Sequence, residues 1–281
     1  MVVQGKIGRP ARVTAFVICS IVSILVLIPI VMIVYNSLRT NGELLLTPFG
    51  LPADGFHWEN YGRILASNSG FWENLLNSVL ATIGTVILLL ATACPAAFVL
   101  ARLNFPGREV VFNVFLIGLL FPLTVAVLPL YIMIRQLDLL NSLWGIILPQ
   151  AAFSLPVTIL ILRNFFRAVP RELEDAAAID GSSLLGFFWR ILLPLSRPAL
   201  AVVTMLAVVG SWNNFLLPLL VLDDQSTWTL PLGVTQFQGQ YGTDWVSVMA
   251  YLTLAMLPAV LIYLFAERQI VAGLTAGAVK G

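Results

Sequence analysis

The chain has 281 residues, 59% of them hydrophobic and 10% charged, with a mean hydropathy of +0.94. A water-soluble domain of this length carries about 25% charged and about 45–50% apolar residues. An aqueous fold cannot bury this much apolar surface, so lipid is the expected solvent. The net charge is only +1 and no long polar block interrupts the chain. Together these exclude a large soluble domain, and no nucleic acid is expected among the partners.

A helix needs about 20 apolar residues to cross a bilayer. The first such run covers Val13 to Tyr35, behind Lys6, Arg9 and Arg12. It is longer than the roughly 7–15 residues of a signal-peptide core and ends in Tyr35-Asn36-Ser37 without a small-residue cleavage pattern. It therefore reads as a retained anchor. Phe71–Leu100, Val110–Ile134 and Leu143–Leu162 follow, then a polar loop over 163–194, then Leu195–Leu222 and Trp245–Ala266. The second and fifth runs exceed the needed length and are expected to tilt or to begin outside the lipid. Pro29, Pro95, Pro122, Pro129, Pro149, Pro156, Pro218 and Pro258 lie in or near the spans. Membrane helices tolerate prolines because neighbours or water satisfy the freed carbonyls. The expected fold is an all-α membrane protein of about six transmembrane helices, a single domain over 1–281 with a helix-turn-helix loop.

Six spans place both termini on one side, and flanking lysines and arginines decide which. With the N-terminus inside, the inner segments hold Lys6, Arg9, Arg12, Arg102, Arg108, Arg163, Arg167, Arg171, Arg190, Arg197, Arg268 and Lys280. The outer segments hold only Arg39, Arg63 and Arg135, alongside the acids Glu43, Asp54, Glu59, Glu73, Asp138, Asp223, Asp224 and Asp244. Both termini and the 163–194 loop are expected to be cytoplasmic. By these boundaries no charged residue lies deep in a span. Cys19 and Cys94 sit in apolar runs without metal-ligand spacing, so no metal site or disulfide framework is expected and both read as small core residues. The single histidine, His57, falls in a polar loop as a solvated side chain or a local hydrogen-bond partner.

The loop reads RNFFRAVPRELEDAAAIDGSSLLGFFWRILLP from Arg163 to Pro194. Pro170 suits a helix start, where its missing N–H is no loss. Glu172, Glu174 and Asp175 then oppose the positive end of the helix dipole. Ala176, Ala177 and Ala178 are strong helix formers, and Gly181 accepts the left-handed conformation that ends a helix. Ser182 or Ser183 can cap a second helix, which runs on through Leu184-Leu185 and Phe187-Phe188-Trp189 to Pro194. Without further information such a loop reads as an amphipathic segment on the membrane surface.

The spacing carries more than that. Asp175-Ala176-Ala177, then three residues, Gly181, then nine residues and Ile191-Leu192-Leu193-Pro194 resemble the signature loop of ABC-importer permeases. The departure is Asp175 where that family has glutamate, and Glu174 is adjacent. The resemblance implies that the short helix sits in a cleft of a separate ATP-hydrolysing subunit, with Glu174, Asp175, Ala176, Ala177, Asp180 and Gly181 as the coupling residues. No G-x-x-x-x-G-K-[ST] phosphate loop occurs in the chain. The chain is accordingly expected to be a transport subunit rather than an enzyme and to bind no cofactor, with ATP and Mg on the partner ATPase.

Phe56-His57-Trp58-Glu59-Asn60-Tyr61, Leu148-Pro149-Gln150, Gly210-Ser211-Trp212-Asn213-Asn214-Phe215 and the tail Gly273–Gly281 resemble the carbohydrate-uptake branch, specifically the smaller six-span permease of maltose-type systems. This implies a second permease subunit, two copies of an ATP-binding subunit, an extracytoplasmic sugar-binding protein and an inner-membrane location in a bacterium. Asn213 and Asn214 are costly against lipid. They serve either interhelical hydrogen bonding or, with Trp212 and Gln150, a substrate pathway. Importers of polyols, sugar acids or glycerol-phosphate compounds are the alternative within the family. An ion-coupled secondary transporter lacks its intramembrane acids or histidines here, and an intramembrane protease lacks paired catalytic groups.

Overall fold

The computed structural model describes residues 9–52, 55–66, 70–239 and 242–278, with side chains described from 12 to 264. Lys6, Asp54, Lys280, the side chains of Arg9 and Arg268, and the side chains of the 273–281 tail lie outside the described residues. Four helices are long and apolar enough to cross a bilayer, and six spans result if each of two sharply bent helix pairs counts as one.

The chain divides into two compact units. The first comprises residues 1–69 and 234–256. It opens with α1 (Arg9–Asn36), whose apolar window is wholly exposed. Cys19 is therefore exposed as well, which corrects its reading as a core residue: no other described element of this unit covers the apolar length of the helix. After α1 the chain folds around Arg39, which is completely buried. Its guanidinium donates to Thr47 O at 2.8 Å, Thr47 Oγ1 at 3.0 Å, Asn36 Oδ1 at 3.1 Å and Glu43 O at 3.2 Å. A buried charge persists only when hydrogen-bonded this way. The short helix α2 (Asn41–Leu46) carries a complete capping box between Thr40 and Glu43. Asn41 joins this loop to the start of the last helix, donating to Asp244 Oδ1 at 2.7 Å and accepting from Val246 N at 3.1 Å. His57 Nδ1 meets Glu59 Oε1 at 2.6 Å, so it is a local hydrogen-bond partner at the start of α3 (Glu59–Leu65). That bond holds the Glu59 carboxyl below its ordinary value.

The second unit comprises residues 70–233 and 257–281. Its centre is the pair α4 (Phe71–Arg102) and α7 (Trp144–Ala168). Ala81, Thr85, Leu89, Ala93, Ala97 and Ala101 recur every four residues on α4 and are all buried. Small residues in such a row let helix backbones approach closely. At Gly84 an added Cβ would stand 2.8 Å from Ile147 Cδ1. Phe98, Ile159, Leu162, Phe166, Leu192 and Val203 complete the core.

Two expected spans are not single helices. Val110–Ile134 is split into α5 (Arg108–Gly118) and α6 (Leu123–Gln136), bent by 98°. Pro122 lies in the break with extended backbone and disfavours a helical conformation in the residue before it. Leu195–Leu222 is likewise interrupted. The loop helix α9 (Leu184–Leu195) meets α10 (Arg197–Trp212) at 76°, and α11 (Leu216–Val221) follows a turn at Asn213-Asn214. Within α9, Phe188–Leu192 is π-helical. Pro194 cannot donate to the carbonyl four residues back, which suits a local widening of the ladder there. The last long helix is Trp245–Ala278.

Candidate functional site

The 163–194 segment forms the helix, corner and second helix expected. Glu172–Ile179 is helical (α8), with Glu172, Glu174 and Asp175 in its first turn. Pro170 lies just ahead of it, and Arg171 O accepts from Glu174 N at 2.8 Å and Asp175 N at 3.0 Å. Gly181 has φ +77°. Ser182 N reaches back to Ala177 O at 2.8 Å and Gly181 N to Ala178 O at 3.0 Å. These two bonds make a complete Schellman motif, which satisfies carbonyls the helix end would otherwise leave open. Of the two candidate caps it is Ser183 that acts, its side chain accepting from Gly186 N at 3.1 Å.

This corner presents an unusual surface. Ala177 is buried under the helix, whereas Asp175, Ala176, Asp180 and Gly181 are exposed and Glu174 is partly so. Ile179 is 86% exposed, and Leu173, Leu184, Leu185 and Trp189 are exposed around it. Nothing stands within 4 Å of a Cβ built on Gly181. The loop thus combines acids, small residues and uncovered apolar side chains on one hydrogen-bonded helix–turn–helix. That composition suits reversible docking to another protein.

A second feature lies between α4, α7 and α10. A pocket of about 120 Å³ is lined by Thr85, Leu123, Pro149, Gln150, Phe153, Ser154, Gly210, Ser211, Asn214 and Leu217. That is room for several waters. Gln150 Oε1 accepts from Ser211 Oγ at 2.6 Å and Thr85 Oγ1 at 3.2 Å. Of the four expected pathway residues, the structure brings Gln150 and Asn214 to this pocket. Trp212 is buried in the packing and does not line it. Asn213 is exposed, with its amide donating to Val209 O at 3.0 Å. Asn214 also accepts from Leu217 N at 3.2 Å, starting α11. Thr85 and Ser154 were not singled out by sequence, and Ser211 entered only as part of the 210–215 piece. A lone hydroxyl in an apolar run carries little signal until its partner is known.

The fourth apolar run extends further as a helix than its expected end at Leu162. Helix α7 continues to Ala168, so Arg163 lies inside it with a side chain only 3% exposed. It bonds to Glu109 Oε1 at 2.5 Å and Leu100 O at 3.0 Å and stacks 3.8 Å over Phe112. Arg102, at the end of α4, is equally covered.

Residues 93–275 match the family model described as binding-protein-dependent transport system inner membrane component. A diacetylchitobiose uptake system permease of Streptomyces coelicolor is 34% identical over 91% of this chain and 84% of its own. An arabinooligosaccharide transport system permease of Bacillus subtilis is 33% identical over 96% of both chains. The fold is shared with a bacterial ABC transporter involved in the import of the acidic polysaccharide alginate, at a TM-score of 0.78 and 23% identity, over 93% of this chain and 98% of that one. A family match over more than half the chain, joined to relatives that align over most of both lengths, makes this protein a member of the inner-membrane permease family of binding-protein-dependent ABC transport systems.

Proposed function

We propose that this chain is a membrane-spanning subunit of a bacterial sugar importer that works by ATP-driven alternating access. The observation that carries the reading is the glycine-cornered helix pair at 172–195, capped at its turn and exposed at Leu173, Ile179, Leu184, Leu185 and Trp189. The charge distribution favours placing this loop and both termini in the cytoplasm. There it meets one of two copies of a separate ATPase subunit, which holds the ATP and Mg. Glu174, Asp175, Ala176, Ala177, Asp180 and Gly181 form the grip. A companion permease completes the pathway, and an extracytoplasmic binding protein delivers the sugar to the opposite face.

The two relatives are named for sugar oligomers, which supports carbohydrate as the cargo class. The chemistry of the pocket at Gln150 suits contact with a neutral polyhydroxylated solute. It offers amide and hydroxyl groups against apolar walls and no formal charge. ATP-driven closure of the motor can shift the membrane helices only if the motor binds their two arrangements with different affinity. A stiff, exposed coupling element is what such differential contact requires.

The test is recovery of the complex. A tagged chain, solubilised gently from its native membrane, should co-purify with an ATP-binding subunit and a second permease, identified by mass spectrometry. Purification of the chain alone, under conditions that preserve other membrane complexes, would reject the reading in favour of a self-sufficient carrier.

A further inference from the structure

Arg102 terminates α4, yet its side chain is only 2% exposed. One guanidinium touches three successive elements of the chain. Its Nη2 donates to Val169 O, just past α7, at 2.8 Å. Its Nη1 stands 3.5 Å from Glu174 Oε2 on α8. Its Cζ lies 5.9 Å from the centre of the Phe187 ring on α9. Arg163 makes the same kind of junction one layer in, joining the α7 backbone to Leu100 O near the end of α4 and to Glu109 and Phe112 of α5.

Static stability does not account for such an arrangement well. Burying a guanidinium is expensive, and an apolar side chain of similar volume holds helices together at lower cost. Arg102 Nε is moreover buried without a hydrogen-bond partner, so the group is not fully compensated. What arginine adds over an apolar residue is direction: its planar fork fixes the angles between the elements it joins. Remove it, and α8 still leads from α7 through the 169–171 turn and still packs through Ala177, but it loses the directional ion pair that ties Glu174 to α4.

We infer that Arg102 is a positioning residue that transmits displacement of the 172–179 helix into α4, with Arg163 carrying it onward to α5. The inference rests on the coupling-loop reading above. It goes beyond it by naming the internal link through which a pull on the loop reaches the pathway helices. Thr85 of the Gln150 pocket lies on the same helix as Arg102, so a rotation or shift of α4 acts on that pocket directly.

The test uses the whole complex, purified through a tag on this chain and reconstituted with its binding protein and sugar. Solute transported per ATP hydrolysed is measured for wild type, Arg102→Gln, Arg102→Met and Arg102→Lys. The expected result is retained ATPase subunit and basal hydrolysis in all three, with transport per ATP reduced about tenfold in Gln and Met. Lysine keeps the charge but reaches only one of the two acceptors, and should recover an intermediate ratio. Wild-type transport per ATP in both Gln and Met overturns the inference. So does failure of all three variants to accumulate in the membrane, which assigns Arg102 to folding alone. If the wild-type chain itself retains no ATPase subunit, the coupling-loop reading has failed and this inference falls with it.

Discussion

Gly181 offers the sharpest test of the coupling corner, because the structure separates backbone cost from steric cost there. Its φ of +77° is a conformation that costs an L-residue about 1–2 kcal/mol. A Cβ at this position meets nothing within 4 Å, so Gly181→Ala pays the backbone cost without a clash. The chain cannot escape cheaply by leaving that conformation. Doing so breaks the Ser182–Ala177 and Gly181–Ala178 bonds, together worth about 1–3 kcal/mol. The correctly formed corner should therefore be disfavoured by a factor of about 5–30, and the apparent affinity for the ATPase subunit should fall by up to that factor. Gly181→Asn should lose less, since asparagine is enriched in the left-handed region. Gly181→Leu should lose at least as much as alanine, because its side chain fills the open space beside the corner, while the chain itself still inserts. The assay is binding of the purified ATPase subunit to each solubilised variant, with circular dichroism to confirm retained helix. Alanine binding as tightly as glycine, or asparagine binding more weakly than alanine, would refute the argument from backbone conformation. Wild-type ATPase binding and transport in Gly181→Leu would remove the corner from the coupling machinery altogether.

Other consequences test separate parts of the structure. Gly145→Ala places a Cβ against Leu139 O and 2.7 Å from Val221 Cγ1. It should destabilise the chain by about 1–3 kcal/mol, read as a lower thermal midpoint of the solubilised protein, and an unchanged midpoint would contradict the packing at this site. Gln150→Leu leaves the Thr85 and Ser211 hydroxyls without their shared acceptor, at a cost of about 1–3 kcal/mol for each group stranded in the interior. Sugar uptake should drop while ATPase binding persists, and normal uptake would remove the pocket from the pathway. Burial raises the Asp244 pKa, but donation from Ser247 and Asn41 outweighs it and leaves the carboxyl below its ordinary value. Its contribution to stability is therefore present above the unfolded-state value near 3.9 and is lost as pH falls through the lower folded-state value. Asp244→Asn should flatten that acid limb of a thermal stability profile. An identical limb in the variant would assign it to another carboxyl.

Much of this protein follows from rules that act between near neighbours in the chain. The glycine corner at 181 is of this kind. Acids at a helix start, three alanines, a glycine and a capping serine each favour the observed conformation with few distant contacts. The apolar runs likewise mark the spans, since length and composition alone decide whether a helix can live in lipid. The breaks were a different matter. Pro122 sits in the bend between α5 and α6, whereas Pro95, Pro149 and Pro156 lie within continuous helices. The local signal is the same in each case, and the outcome depends on whether packed neighbours hold the helix straight across the missing bond. Arg163 illustrates the same limit. A charge next to an apolar run reads as the end of a span, and only the carbonyl of Leu100, the carboxylate of Glu109 and the ring of Phe112 keep it inside α7. Asn214 was visible as a costly polar group and Gln150 through the 148–150 piece, but the partners of Gln150 lie on two other helices, 65 and 61 residues away. Local sequence therefore determined the apolar runs and the glycine corner at 181. Which polar groups meet, and which proline breaks its helix, was decided by the register of helix against helix, because that free energy belongs to pairs of distant residues.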